Sequence, residues 1–209
     1  NWRGIQRANK TTGDVLSALQ TLEEFLSDPD KDAISLHGTV VARNGSTMRQ
    51  QRQVGKARAL AFFVHFIGDV HQPLHVGRRA DFGGNKIEVK WFGEATNLHK
   101  VWDELLIASM ELSFTELATF LNRVSSEDQQ SWTSTGYLDW AKESKAIREQ
   151  VYEFGNQKSA YYLNVKESPV LKWDYRHNAL PIIKSRLSKG GIRLAAKLDQ
   201  IFYNYPEDK

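Results

Sequence analysis

Two histidine–aspartate pairs at helical spacing, His65/Asp69 and His99/Asp103, with His75 between them, put five metal-ligand side chains into one short stretch of a chain with six histidines. Residues four apart lie about 40° from each other around a helix, so the imidazole and carboxylate of each pair can approach one ion. A lone histidine on an apolar helix is more often a hydrogen-bonded core residue than a ligand. The cluster shifts that balance, because burying His65 beside Asp69 in the most apolar helix of the chain is costly unless a cation compensates both. A plain His–Asp hydrogen bond is the rival reading. Nitrogen and oxygen donors, in a chain without cysteine, point to zinc. His71 falls between the ligands but faces elsewhere on a helix, which suits a structural or outer-sphere role. His37 and His177 stand alone and read as structural or exposed.

The elements that must carry these residues are mostly helical. Val15, Leu16, Leu19, Leu22, Phe25 and Leu26 recur at helical spacing, predicting a helix over 14–27 closed by Pro29. Asp28, Asp30 and Asp32 have the spacing of a calcium loop, but Pro29, Ala33 and Thr39 occupy positions that such a loop cannot use, so the segment reads as a solvated turn. A second helix is expected from about Met48 to Val70, apolar all round at its end and hence buried, and stopped by Pro73. Asp81 to Asn85 form a turn into the alternating strand Lys86 to Trp91, with Phe92-Gly93-Glu94 turning into a short partner strand. Asn97 suits the N-cap of a helix from Leu98 to about Ile107, and Ser113 with Glu116 a capping box opening the next, through Val124. Helical patterns follow over 138–154, 179–187 and 191–203.

With 209 residues, 41% hydrophobic and 25% charged, the chain fits one globular domain. No apolar run reaches the roughly 20 residues of a membrane span. A net charge of +3 permits an anionic partner without the basic stripe of a dedicated nucleic-acid binder. Walker, GxGxxG and serine or cysteine nucleophile motifs do not occur.

The run His65-Phe66-Ile67-Gly68-Asp69-Val70-His71-Gln72-Pro73-Leu74-His75, then Asp81-Phe82-Gly83-Gly84-Asn85, then Asn97-Leu98-His99-Lys100-Val101-Trp102-Asp103, resembles the zinc-dependent single-strand nucleases of the S1/P1 family in order, spacing and intervening residues. Weaker resemblance is found in Gly13-Asp14-Val15, from Trp140 to Ser144, and from Gly191 to Ala196. The resemblance implies a mainly α, phospholipase C/nuclease-type helical domain with one small β-hairpin, holding three zinc ions in a cleft. By that resemblance His75, His99 and Asp103 hold one zinc, His65 and Asp69 contribute to a second, and Asp69 bridges to the third, the catalytic position. Asn85 matches a residue that contacts the substrate base, and Phe82 lies in the same loop.

The implied activity is endonucleolytic hydrolysis of single-stranded RNA and DNA by metal-activated water, with 3′-nucleotidase activity, in a monomer that is secreted or periplasmic. Single strands suit it because an unstacked base can be gripped while its phosphate reaches the metals. Family enzymes carry further ligands, an initial Trp, histidines and an Asp, ahead of the segment matching Gly13, and these are not seen in this sequence. The expectation is therefore an N-terminally incomplete nuclease in which one zinc site has all its side-chain ligands. A phospholipase C-type phosphodiesterase and a catalytically impaired zinc-binding remnant are the alternatives.

Overall fold

The computed structural model describes residues 14–41, 47–155, 168–203 and 205, with the backbone alone at 37–41 and 47–52. Trp2, Gly13 and the side chain of His37 lie outside the described residues. The chain divides into two compact units, one containing Gly68–Arg193 and the other Ile5–Ile67 with Leu194–Lys209.

In the second of these units, Asp14 caps α1 (Val15–Leu26) by accepting from the Ser17 N–H at 2.8 Å, and Leu19, Leu22, Phe25 and Leu26 are buried along one stripe. Lys56 Nζ donates to the Phe25 carbonyl at 2.8 Å and to that of Asp28, so an ammonium compensates carbonyls left open where α1 ends. An antiparallel hairpin follows, β1 (Ala33–Val41) with β2 (Thr47–Gly55), registering Ala33 with Gly55 and Val41 with Thr47. This corrects the expected long helix, which starts only at Lys56 as α2 (Lys56–His71). The Arg- and Gln-rich stretch 49–53 has helical propensity, but pairing with β1 satisfies its backbone across the sheet, and propensity is the weaker constraint.

Burial along α2 also differs from the expectation. Ala59, Phe63, Ile67 and Val70 are buried at spacings of three and four, whereas Phe62 and Val64 are 37% and 40% exposed and His65 is exposed. The helix is amphipathic rather than buried all round, because one stripe suffices to fill the core. His65 with Asp69 is therefore not a buried pair, and the desolvation argument for a cation there does not hold.

The other unit is built around Leu74, Ile87, Val89, Leu98, Val101, Trp102, Leu106, Val151, Leu171 and Tyr175. The predicted hairpin is present as β3 (Glu88–Trp91) and β4 (Glu94–Asn97), turning through Phe92 and Gly93, both at positive φ. A short strand β5 (Val170–Leu171) joins β3 in parallel, so in place of the single expected hairpin the described residues form two small sheets in a mainly α structure. Helices α3 (Leu98–Lys100), α4 (Leu106–Ala108), α5 (Phe114–Leu121), α6 (Ser126–Thr133) and α7 (Tyr137–Val151) follow. Both halves of the Ser113/Glu116 capping box form.

The two helices expected over 179–187 and 191–203 are one, α8 (Trp173–Phe202), running through Pro181 and Gly190-Gly191. Within the first unit it is fastened by buried arginines. Arg186 donates to the carbonyls of His71 (3.0 Å) and Trp140 (3.2 Å), to Ser144 Oγ (2.7 Å) and to Glu143 (2.6 Å). Arg193, 1% exposed, donates to both Glu143 oxygens and to the Trp132 carbonyl. Gly190 fits against the His71 ring, 3.4 Å from where a Cβ would stand, which gives a mid-helix glycine a packing reason.

Candidate metal centre

Pro73 disfavours the helical region at Gln72, and α2 ends at His71. Turns follow at once, with the Gln72 N–H bonded to the Asp69 carbonyl at 3.1 Å and the His75 N–H to that of Gln72 at 3.0 Å. They swing His75 back toward the helix, where its Nδ1 meets Asp69 Oδ1 at 2.9 Å. The helix end is held from outside: Ser144 Oγ donates to the Val70 carbonyl at 2.7 Å, beside the Arg186 bond to His71. His71 itself is 3% exposed and its Nε2 lies 3.0 Å from Arg193 Nη1, so it accepts there and is a structural residue.

His99 is placed by the glycine loop and the second hairpin. Phe82, Gly83 and Gly84 all have positive φ, and the Gly83 carbonyl accepts from His99 Nδ1 at 2.7 Å. A Cβ on Gly83 would stand 2.3 Å from the Leu74 carbonyl oxygen, so only glycine allows this close approach. The bond fixes the proton on Nδ1 and turns Nε2 toward Asp103, Oδ2 being 2.9 Å away.

Asp103 sits in a π-helical turn (Val101–Leu105) inserted between α3 and α4, where the Leu106 N–H reaches the Val101 carbonyl. The expected uninterrupted helix over 98–107 is thus widened at the ligand, a frequent feature of functional sites. Trp102, next to it, is buried and donates to Tyr175 Oη at 2.8 Å, which in turn donates to the Val151 carbonyl at 2.6 Å.

One ligand atom from each of His75, His99 and Asp103 lies within 4.8 Å of the others, the one such group among the described residues. His75 Nε2 is 3.2 Å from Asp103 Oδ1, and the two imidazoles stack with centroids 5.0 Å apart at 9°. Two nitrogens and a carboxylate at this spacing fit the three protein ligands of a four-coordinate divalent ion with an open position. Burial of the His75 ring opposes its charge, but the hydrogen bonds to Asp103 and Asp69 prevail and hold its pKa up at about 9. Burial pushes the Asp103 carboxyl up, yet His75, His99 and Gln72 together hold it well below the usual carboxylate range. His99 is raised by its bond to Asp103, against burial and with help from the Gly83 contact. The centre thus gathers positive charge around one carboxylate, a role a metal ion takes over when it displaces the protons.

Of the other sequence-predicted residues, Asp69 joins the group through His75 while His65 is exposed on α2. Phe82 is 55% exposed, with Lys86 Nζ 4.4 Å from its ring centroid, and the exposed Asn85 donates to the Phe82 carbonyl at 2.8 Å. Gln72 is a site residue that ligand spacing does not reveal: it bonds to Asp103 from a position adjoining Pro73.

A mainly helical chain with this donor set defines a candidate metal-binding protein, and comparison with known proteins places it further. The S1/P1 Nuclease family model matches residues 4–203, and the chain belongs to that family. It is 40% identical over 159 residues to "Endonuclease 4" of Arabidopsis thaliana, covering 71% of this chain and 52% of that protein. "Nuclease S1" of Aspergillus oryzae is 33% identical over 68% of this chain and 54% of its own length, and "Nuclease P1" of Penicillium citrinum 32% over 69% and 58%. The chain spans about half the length of the curated relatives it matches. Among the described residues no helix is long and apolar enough to cross a membrane.

Proposed function

We propose that this protein is a zinc-dependent endonuclease that hydrolyses phosphodiester bonds of single-stranded RNA and DNA, with 3′-nucleotidase activity. The observation that carries the reading is the convergence of His75, from the turn after α2, with His99 and Asp103, one turn apart on the helical run after β4, in a member of a nuclease family. Zinc held there supplies an acidified water and positive charge for phosphate oxygens. The protein's own residues do the rest. Gly83 and Asp69 fix the protons of His99 and His75 on Nδ1, leaving each Nε2 for the ion. Phe82 offers a stacking face to an unpaired base, and Asn85 an amide to its edge. Asp69 is assigned the catalytic bridging position and, with His65 one turn earlier on α2, ligation of the further zinc ions that the family resemblance implies. Secretion or periplasmic export and a monomeric state complete the reading.

The test is hydrolysis of denatured and duplex DNA and of RNA by the zinc-loaded protein. Cleavage of single strands that stops with chelator and returns with zinc is expected. Hydrolysis of short-chain phosphatidylcholine in place of nucleic acid would instead assign it to the phospholipase C-type chemistry.

A further inference from the structure

Gln72 uses both ends of its amide at the metal centre. Its Oε1 accepts from the Leu74 N–H, and its Nε2 donates to Asp103 Oδ1 at 2.8 Å. The two bonds fix each other: a flipped amide would set its NH2 against the Leu74 N–H and its oxygen against the Asp103 carboxylate. The backbone adds to this, since the Pro73 ring restricts Gln72 and the Gln72 carbonyl receives the His75 N–H at 3.0 Å. One residue therefore ties His75, through its main chain, to Asp103, through its side chain, although these ligands come from different elements.

We propose that Gln72 is a positioning residue of the metal centre, holding the Asp103 carboxylate in its ligating orientation from outside the ligand set. The inference rests on His75, His99 and Asp103 binding zinc. Asp103 stands on a π-helical turn, where the main-chain ladder is looser than in an α-helix, so orientation of its carboxylate depends on side-chain partners. His75 and His99 are such partners only while their Nε2 atoms carry protons, and both give that role up to an ion. Of the three side chains bonded to Asp103, Gln72 is the one that is not itself a candidate ligand, so its hydrogen bond would be free to persist beside an ion.

The experiment titrates the 209-residue chain with zinc alone against a chromophoric chelator, for the wild type, Gln72→Met, Asp103→Ala and the double variant. Methionine has similar length and offers no amide donor. Gln72→Met is expected to weaken zinc binding about 10- to 100-fold, the usual effect of losing an outer partner. It should change binding by less than twofold in the Asp103→Ala background, because the residue acts through Asp103. A cobalt-substituted sample should show altered visible bands in Gln72→Met as ligand geometry changes. Equal weakening in both backgrounds would overturn the positioning role and leave general destabilisation, as would unchanged affinity in Gln72→Met. Failure of the wild type to bind zinc overturns the metal-centre reading and this inference together. Should Gln72→Met not fold, Gln72→Asn, too short to reach Asp103, is read the same way.

Discussion

Asp69 Oδ1 and His75 Nδ1 face each other at 2.9 Å across the turn that Pro73 imposes on the end of α2. This contact joins a residue of the helix to a ligand beyond it, and it decides which nitrogen of His75 is offered to a cation. Asp69→Asn keeps the size of the side chain but replaces a full carboxylate acceptor. Zinc binding to His75, His99 and Asp103 should weaken roughly 10-fold, as expected for an outer-sphere carboxylate, even before any effect on further ions is counted. Zinc titration of the variant against a competing chelator measures it.

His99→Ala removes a ligand outright. The variant should lose that zinc on dialysis, keeping only weak binding seen at high zinc in a titration, and zinc should raise its thermal midpoint far less than in wild type, since metal binding and folding are linked. Unchanged zinc content by atomic absorption would remove His99 from the ligand set.

The pH dependence of the metal-free protein has a definite sign. His75 is raised from 6.5 to about 9, so its contribution to stability is full below pH 6.5 and disappears as pH rises through about 9. Zinc binding needs the imidazole deprotonated and strengthens over the same interval. The difference in thermal midpoint between zinc-bound and metal-free protein should therefore widen steadily from pH 6.5 to 9. A difference that stays constant or shrinks contradicts the placement of His75 between two carboxylates.

Glu143 stands between Arg186, Arg193 and Lys189, at 2.6, 2.6 and 3.2 Å. Burial works against its charge, but these cations prevail and hold its carboxyl down at about 2. Its contribution is thus present above about pH 4.5 and is lost as pH falls toward 2. Glu143→Gln leaves two buried guanidiniums without their counter-charge and should cost about 3 kcal/mol in urea unfolding at pH 7. The same variant should lose less stability than wild type between pH 4.5 and 2. Zinc stoichiometry at neutral pH is expected to persist while the variant remains folded.

Phe82→Ala tests the exposed ring beside the centre. Base stacking on an aromatic face contributes about 1–3 kcal/mol, so KM for a single-stranded oligonucleotide should rise at least fivefold with kcat little changed. Because the Phe82 ring is 55% exposed, thermal stability should hardly fall. A lowered kcat at constant KM would place the ring's contribution in the chemical step instead.

Features set by near neighbours are legible in the residues alone. Pro73 ending α2, the Asn97 and Ser113 caps, the β3–β4 hairpin and the i,i+4 relation of His99 and Asp103 all follow from spacings a few residues long. The same motifs identified the family. Features that depend on distant partners emerge only when the chain is folded. Residues 49–53 became a strand because β1 lies beside them, and α8 crosses Pro181 and two glycines in a structure where buried arginines bind Glu143 and where Gly190 fits the His71 ring. Exposure of His65 could not be read either, because a helix with apolar residues on several faces does not say which stripe the core will take. The π-helical turn under Asp103 and the Gln72 bond to it leave no periodic trace in the residues. Spacing names the ligands; only the packing of segments far apart in the chain sets which of them meet and what holds them in place.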